Sequence, residues 1–210
     1  MTGTGSGAPR RNRVTPLGEI VRTTLRGAWM GNRGILHEGD EIVRSHRSSL
    51  WITCRLTHRD WRAVQWQPGH YTVLFFHDEA VALAAGHRPC ALCRRPDYSA
   101  FRRAWATGNR VTLPSAGELD RRLHFERLVR GTSQRRLHRT PWVEVPPGAF
   151  VSIQGAAHLV RAEALVPWTS AGYGEQVPRP RIGMTDLITP PSTVAALEAG
   201  YLVQVDPTAG

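Results

Sequence analysis

The chain has 210 residues, of which 27 are Lys or Arg and 17 are Asp or Glu, for a formal net charge of +10; all 27 basic residues are arginine. That length can bury a core without disulfides, and three cysteines cannot all pair, which excludes a small disulfide-stapled scaffold. No run of about 18 apolar residues occurs, so no membrane-spanning helix and no membrane partner are expected, and the chain reads as cytoplasmic.

Residues 1–16, "MTGTGSGAPRRNRVTP", lack an apolar signal core and read as a disordered basic tail. "LGEIVRTTLRGAWMGNRGIL" opens on a short helical pattern and ends in a Gly-Asn-Arg-Gly turn, where Gly31 and Gly34 can take positive φ. "SLWITCRLTH" has the β-branched and aromatic character of a strand, and "AVQWQPGHYTVLFF" reads as two short strands broken at Pro68-Gly69. Asp78 caps a helix, "DEAVALAAG", that Gly86 ends. "RRPDYSAFRRAWATG" is a second helix, starting near Pro96-Asp97, with Tyr98, Phe101 and Trp105 on one face. "SAGELDRRLHFERLVRG" is a third, with Ser115 as its cap and Glu118 completing a capping box. Farther on, "GAFVSIQG" and "AHLVRAEALVPW" alternate like strands joined at Gly155. "TPPSTVAALEAGY" is a last short helix, capped by Thr189 and ended by Gly200. The expected fold class is α+β, with short strands and helices over 17–110, then a helix and a β-rich C-terminal region over 111–210.

The chemistry gathers in "HRPCALC". A redox Cys-x-x-Cys should follow a strand and open a helix, but Cys90 and Cys93 follow a helix and an Arg-Pro. A zinc knuckle fits that context better, and two plain buried thiols are the alternative. The one remaining cysteine is Cys54, with His58 four residues on, so the expected Zn²⁺ ligands are Cys54, His58, Cys90 and Cys93. His58 converges with Cys54 only if residues 54–58 bend, and His46, His77 and His87 are its rivals.

"FFHDEAVALAAGHRPCALCRRPD", residues 75–97, closely resembles the second half of the metal-binding domain of the Ada family of bacterial alkylation-damage proteins. The rest of the chain looks like an uncharacterised bacterial protein family that carries this knuckle. The resemblance implies an Ada-like zinc-binding region over 17–110. In Ada domains an upstream zinc thiolate accepts a methyl group from a DNA phosphotriester, and by position Cys54 matches that thiolate. His58 stands where the family has a second cysteine, and the stretch between the pairs is longer here. Neutral imidazole in place of a thiolate lowers the nucleophilicity of the others, so the zinc is expected to be structural.

Residues 86–140 hold thirteen arginines against four acids (Asp97, Glu118, Asp120, Glu126), nine of the net ten charges. Arg88, Arg94, Arg95, Arg102 and Arg103 are therefore the expected nucleic-acid-binding face, with DNA ahead of RNA as partner; a solvated basic surface is the alternative. Helical spacing in "ELDRRLHFERLVR" places Asp120, His124 and Arg127 on one face. Asp120 could orient His124 as a general base for phosphodiester hydrolysis, with Arg127 on the same face; Glu126, a further candidate, falls instead near the Leu119/Leu123 stripe and is expected to be partly buried, and a helix-surface salt-bridge set is the alternative. Trp142, Trp168 and Tyr173 read either as stacking platforms for bases or as closers of a small β core. Two function classes follow: a zinc-stabilised nucleic-acid-binding protein without chemistry, or an enzyme acting through Cys54 or through Asp120 and His124.

Overall fold

The computed structural model describes residues 8–210. The first half runs through β1 (Arg11–Val14), β2 (Ile20–Arg22), β3 (Trp29–Asn32), the hairpin β4 (His37–Glu38) and β5 (Glu41–Ile42), and β6 (Ile52–Cys54). A second hairpin, β7 (Thr57–His58) and β8 (Trp61–Arg62), precedes β9 (Leu74–Phe76), α1 (Glu79–Ala84), β10 (Arg88–Pro89) and α2 (Arg95–Gly108). After α3 (Ala116–Arg127) come β11 (His138–Pro141), β12 (Phe150–Ile153), β13 (Ala156–Val160) and β14 (Ala164–Thr169). Then β15 (Gly172–Tyr173), β16 (Val177–Pro178), β17 (Met184–Leu187) and α4 (Pro191–Glu198) finish the regular structure, with two 3₁₀ turns at Trp142–Glu144 and Pro207–Ala209.

The chain is α+β. One sheet has the order β10-β6-β3-β9-β1-β2, and a second the order β11-β17-β12-β13-β14-β15, with β16 also paired to β14. The two sheets share a core around α1. Leu74 and Phe76 of the first meet Phe150, Leu159 and Val166 of the second across Ala80, Val81 and Ala84. A second cluster packs α2, α3 and α4 on the far sheet through Phe101, Trp105, Leu119, Val151 and Leu197. Both clusters draw on residues from each side of position 110.

Local signals set the helices where they were expected. The Asp78 side chain accepts from the Val81 N–H at 2.8 Å and starts α1. Ser115 and Glu118 form the reciprocal capping box of α3. Four expectations are corrected. Residues 11–14 of the expected disordered tail form β1, paired to β2 and β9; residues 1–7 lie outside the described residues. The helical pattern after Leu17 is overridden by β2, because Ile20 and Val21 are β-branched and β1 offers them a partner. Gly31 is a strand residue of β3 rather than a turn residue: a Cβ there would stand 2.2 Å from the Ile52 carbonyl oxygen, so β3 and β6 approach only across glycine. Gly34 does take positive φ. Thr189 does not cap α4; its Oγ1 accepts instead from the Phe150 N–H at 2.8 Å. Trp142 is buried in the second cluster, and Trp168 and Tyr173 pack against the first, so all three help close the core.

Candidate metal centre

Cys54 ends β6, which pairs antiparallel with β3 (Met30 opposite Cys54) and parallel with β10. The Cys90 N–H donates to the Thr53 carbonyl at 2.9 Å, so β10 delivers Cys90 beside Cys54. The chain then makes one turn, closed by the Arg94 N–H on the Cys90 carbonyl at 3.1 Å, and enters α2. That turn swings Cys93 back, and the ligand atoms of Cys54, Cys90 and Cys93 lie within 4.8 Å of one another. All three cysteines are free; Cys54 and Cys90 are buried and Cys93 is half-buried. Backbone N–H groups point at the sulfurs, Leu92 N–H at 3.4 Å from Cys90 Sγ and the Arg55 N–H on Cys93. Such donors stabilise thiolate.

Crowded together, the three thiols compete. Donation from Cys54 and Cys93 holds Cys90 down at about 2. Cys54 is driven far up, first by its hydrogen bonds to Cys90 and Cys93 and then by burial. Cys93 also rises, the pull of Cys54 being outweighed by Cys90 and burial. By itself the cluster therefore supports one thiolate. A bound dication lets all three ionise together, so the donor set fits a thiophilic metal ion. Zn–S bonds of about 2.3 Å place tetrahedral sulfurs roughly 3.8 Å apart, a spacing compatible with ligand atoms that lie within 4.8 Å of one another.

The thiols floor a cleft of about 720 Å³ whose walls include Met30, Ile52, Tyr71, Trp61, His58 and Asp60. Burial and then the Cys54 charge push the Tyr71 phenol up to about 12, so it faces the cleft as a neutral donor. His58 sits on β7 in this cleft but does not join the three-thiol group. The rivals lie elsewhere. His87 accepts from Arg33 Nε at 3.2 Å, His46 packs against His124 and Trp51, and His77 lies 3.9 Å from Asp206.

The expected arginine face divides. Arg88 is buried and donates to both Asp120 oxygens at 2.8 Å. Arg94 is buried among Thr53, Glu79 and Asp97, bracing the turn that carries Cys93. Neither belongs to an exposed face. Arg95 and Arg103 are exposed on α2, and Arg102 is half-buried with Nε on the Pro114 carbonyl.

The expected Asp120–His124 pair is not formed, because Arg88 takes both carboxylate oxygens. His124 Nδ1 instead accepts from Arg127 Nη2 at 3.0 Å. Glu126 is buried and holds the start of α4, accepting from the Ser192 N–H at 3.1 Å and the Ser192 hydroxyl at 2.6 Å. Arg127 is buried between Trp51 and the Gly86 and Ser49 carbonyls. Tyr71 and Asp60 escaped sequence reasoning, since they carry no motif and come to line the cleft only through the β7–β8 hairpin and the approach to β9. Comparison with family models, curated proteins and solved structures finds no match.

Proposed function

We propose that this is a zinc protein in which Cys54, Cys90 and Cys93 hold Zn²⁺ as three thiolates. The observation that carries the reading is the convergence of every cysteine in the chain on one cluster, Cys54 joining the Cys90–Cys93 pair from 36 residues before Cys90. Zinc there ties the end of β6 to the start of α2, a structural role, and the exposed arginines beside it contact nucleic acid, DNA ahead of RNA. Arg95 and Arg103 supply that face with Arg102 between them; Arg88 and Arg94 act from inside by holding the knuckle. Metal analysis of the purified protein is expected to give one zinc per chain, lost in Cys54→Ser and in Cys90→Ser. DNA affinity is expected to fall steeply as salt rises and to fall further in Arg95→Gln with Arg103→Gln, since each phosphate contact releases counterions. A metal-free protein that folds normally would end the zinc reading; DNA binding indifferent to salt would end the nucleic-acid reading alone.

One observation favours a second, enzymatic reading. Among the described residues no fourth His, Cys, Asp or Glu joins the three thiols, and the cleft opens on them. Zinc with three protein ligands keeps a position for water or substrate, as catalytic sites do. The Ada likeness would make Cys54 the acceptor of a methyl group from a DNA phosphotriester, its thiolate displacing the phosphate oxygen, which leaves as the phosphodiester anion. Incubation with methylphosphotriester DNA followed by intact-mass measurement separates the readings. A gain of one methyl group, absent in Cys54→Ser, would make the site reactive.

A further inference from the structure

A second pocket of about 820 Å³ opens beside β2, the β4–β5 hairpin and the segment after α3, with Arg33, Trp51 and Arg135 in its wall. Arg33 is 1% exposed. Its Nη1 donates to the Gly18 carbonyl at 2.8 Å and its Nε to His87 at 3.2 Å, and its guanidinium lies 3.9 Å from the Trp51 ring centre. Its Nη2 is buried and reaches no protein acceptor. The Arg135 guanidinium donates from Nη2 to the Ala84 and Ile188 carbonyls, while its Nε and Nη1 are buried without an acceptor. Arg127 stacks on Trp51 at 3.8 Å, and two guanidiniums this close to one ring centre must take opposite faces. Its Nε is likewise without an acceptor.

None of these three guanidiniums makes an ion pair among the described residues. Buried charge without a counterion is costly, and native proteins seldom leave buried guanidinium N–H groups unpaired. Burial, and for Arg33 the charge of Arg135 as well, lowers both Arg33 and Arg135 to about 9, so both remain cationic at neutral pH. The one acid lining the pocket is Glu19, exposed, whose carboxylate accepts from the Thr15 hydroxyl at 3.5 Å. Two neighbouring guanidiniums that line this cavity therefore carry three buried N–H-bearing nitrogens without an acceptor, and no carboxylate pairs with either of them.

We propose that this pocket binds a small phosphorylated molecule, with its phosphate group seated against Arg33 and Arg135 and Ser45, Ser133 and Gln134 at the rim. A phosphate brings up to two charges and several acceptor oxygens, and guanidinium forks pair with it bidentately; a carboxylate brings one charge and two oxygens. The cavity lies within the small-molecule range of about 300–1,000 Å³. With Arg33 only 1% exposed, the enclosure favours a terminal phosphate over a continuous nucleic-acid backbone. The inference depends neither on the metal nor on DNA contact.

The test titrates the full-length protein with inorganic phosphate and with phenyl phosphate, followed by calorimetry and by ³¹P line broadening, against acetate and chloride at matched ionic strength. Saturable binding of both phosphates, absent for acetate and chloride, is expected. Arg135→Gln should weaken it at least tenfold, with Arg181→Gln, remote from the pocket, unchanged. Because Arg135→Gln removes buried contacts, two exposed rim variants give independent readouts. Gln134→Glu should weaken binding several-fold and Glu19→Gln should tighten it. Equal responses to all four anions, or phosphate affinity indifferent to both rim variants, overturns the proposal. Release of bound phosphate by an oligonucleotide, but not by phenyl phosphate, assigns the pocket to nucleic acid and overturns it equally.

Discussion

Arg94 and Arg33 are both buried, at 0% and 1% exposure, and each stacks on a tryptophan at 3.9 Å, Arg94 on Trp29 and Arg33 on Trp51. Arg94 is enclosed by carboxylates, Glu79 at 2.6 Å and Asp97 at 2.9 Å. Burial works to lower its pKa, but Glu79 and its neighbours outweigh that and the group ends raised. Arg33 has carbonyls, an imidazole and a second arginine around it, and ends lowered to about 9. The same side chain in the same degree of burial is thus a completed structural bolt in one place and an unmet cation in the other. The difference separates an arginine whose charge the fold itself pairs from one whose charge it leaves unpaired.

The strongest way to break the paired side is to remove what lies next to it. Arg94 follows Cys93 directly, so on the proposed zinc reading a chelator, or Cys90→Ser, should unfold residues 50–100 with a loss on the order of 10 kcal/mol, because metal binding at such sites is also folding free energy. Hydrogen exchange across β6, β10 and the first turn of α2 measures it. Next, Glu79→Ala would turn Arg94 into a second Arg33. Glu79 also accepts from the Tyr201 hydroxyl at 2.7 Å and the Gln204 N–H at 2.9 Å. Removing it leaves a buried cation unpaired and should cost about 3–5 kcal/mol in denaturant unfolding.

The converse substitution is milder. Arg33→Met deletes a cation with no carboxylate partner and should cost about 2–3 kcal/mol, the loss of one stacking contact and of the hydrogen bonds to Gly18 and His87. An equal or larger loss than Glu79→Ala would show that Arg33 is as structurally committed as Arg94. The smallest effect is one of slope. Burial first, and then the charges of Arg33 and Arg127, hold His87 well below its ordinary 6.5. The unfolded chain takes up a proton near that ordinary value and the folded chain does not, so stability is present above it and is lost as pH falls. His87→Gln should flatten that acid limb of the stability curve, and a limb unchanged in the variant would place the titration elsewhere.

How far the sequence reached depends on how local the deciding contact is. Asp78 and Val81 settle the start of α1 within three residues, and Ser115 with Glu118 settle α3 in the same way, since a cap needs only the backbone of its own first turn. The thiol cluster was legible too, because thiols so few in a chain have few chemical uses and Cys90-x-x-Cys93 already forms its turn. Arginine carries no such local rule. Arg94 and Arg95 are neighbours, yet one is sealed inside and the other exposed. Glu79 meets Arg94 from 15 residues away and Asp120 meets Arg88 from 32, so the fate of each charge, and of the His124 that lost Asp120 to Arg88, was decided by what the tertiary fold carried to it. The sequence by itself determined the caps of α1 and α3 and the three-sulfur set, whose partners lie within a turn or are too few to mistake. Only the tertiary structure decided which arginines are paired and which are not, because a long flexible cation takes whatever acceptor folding places within about 3 Å of it.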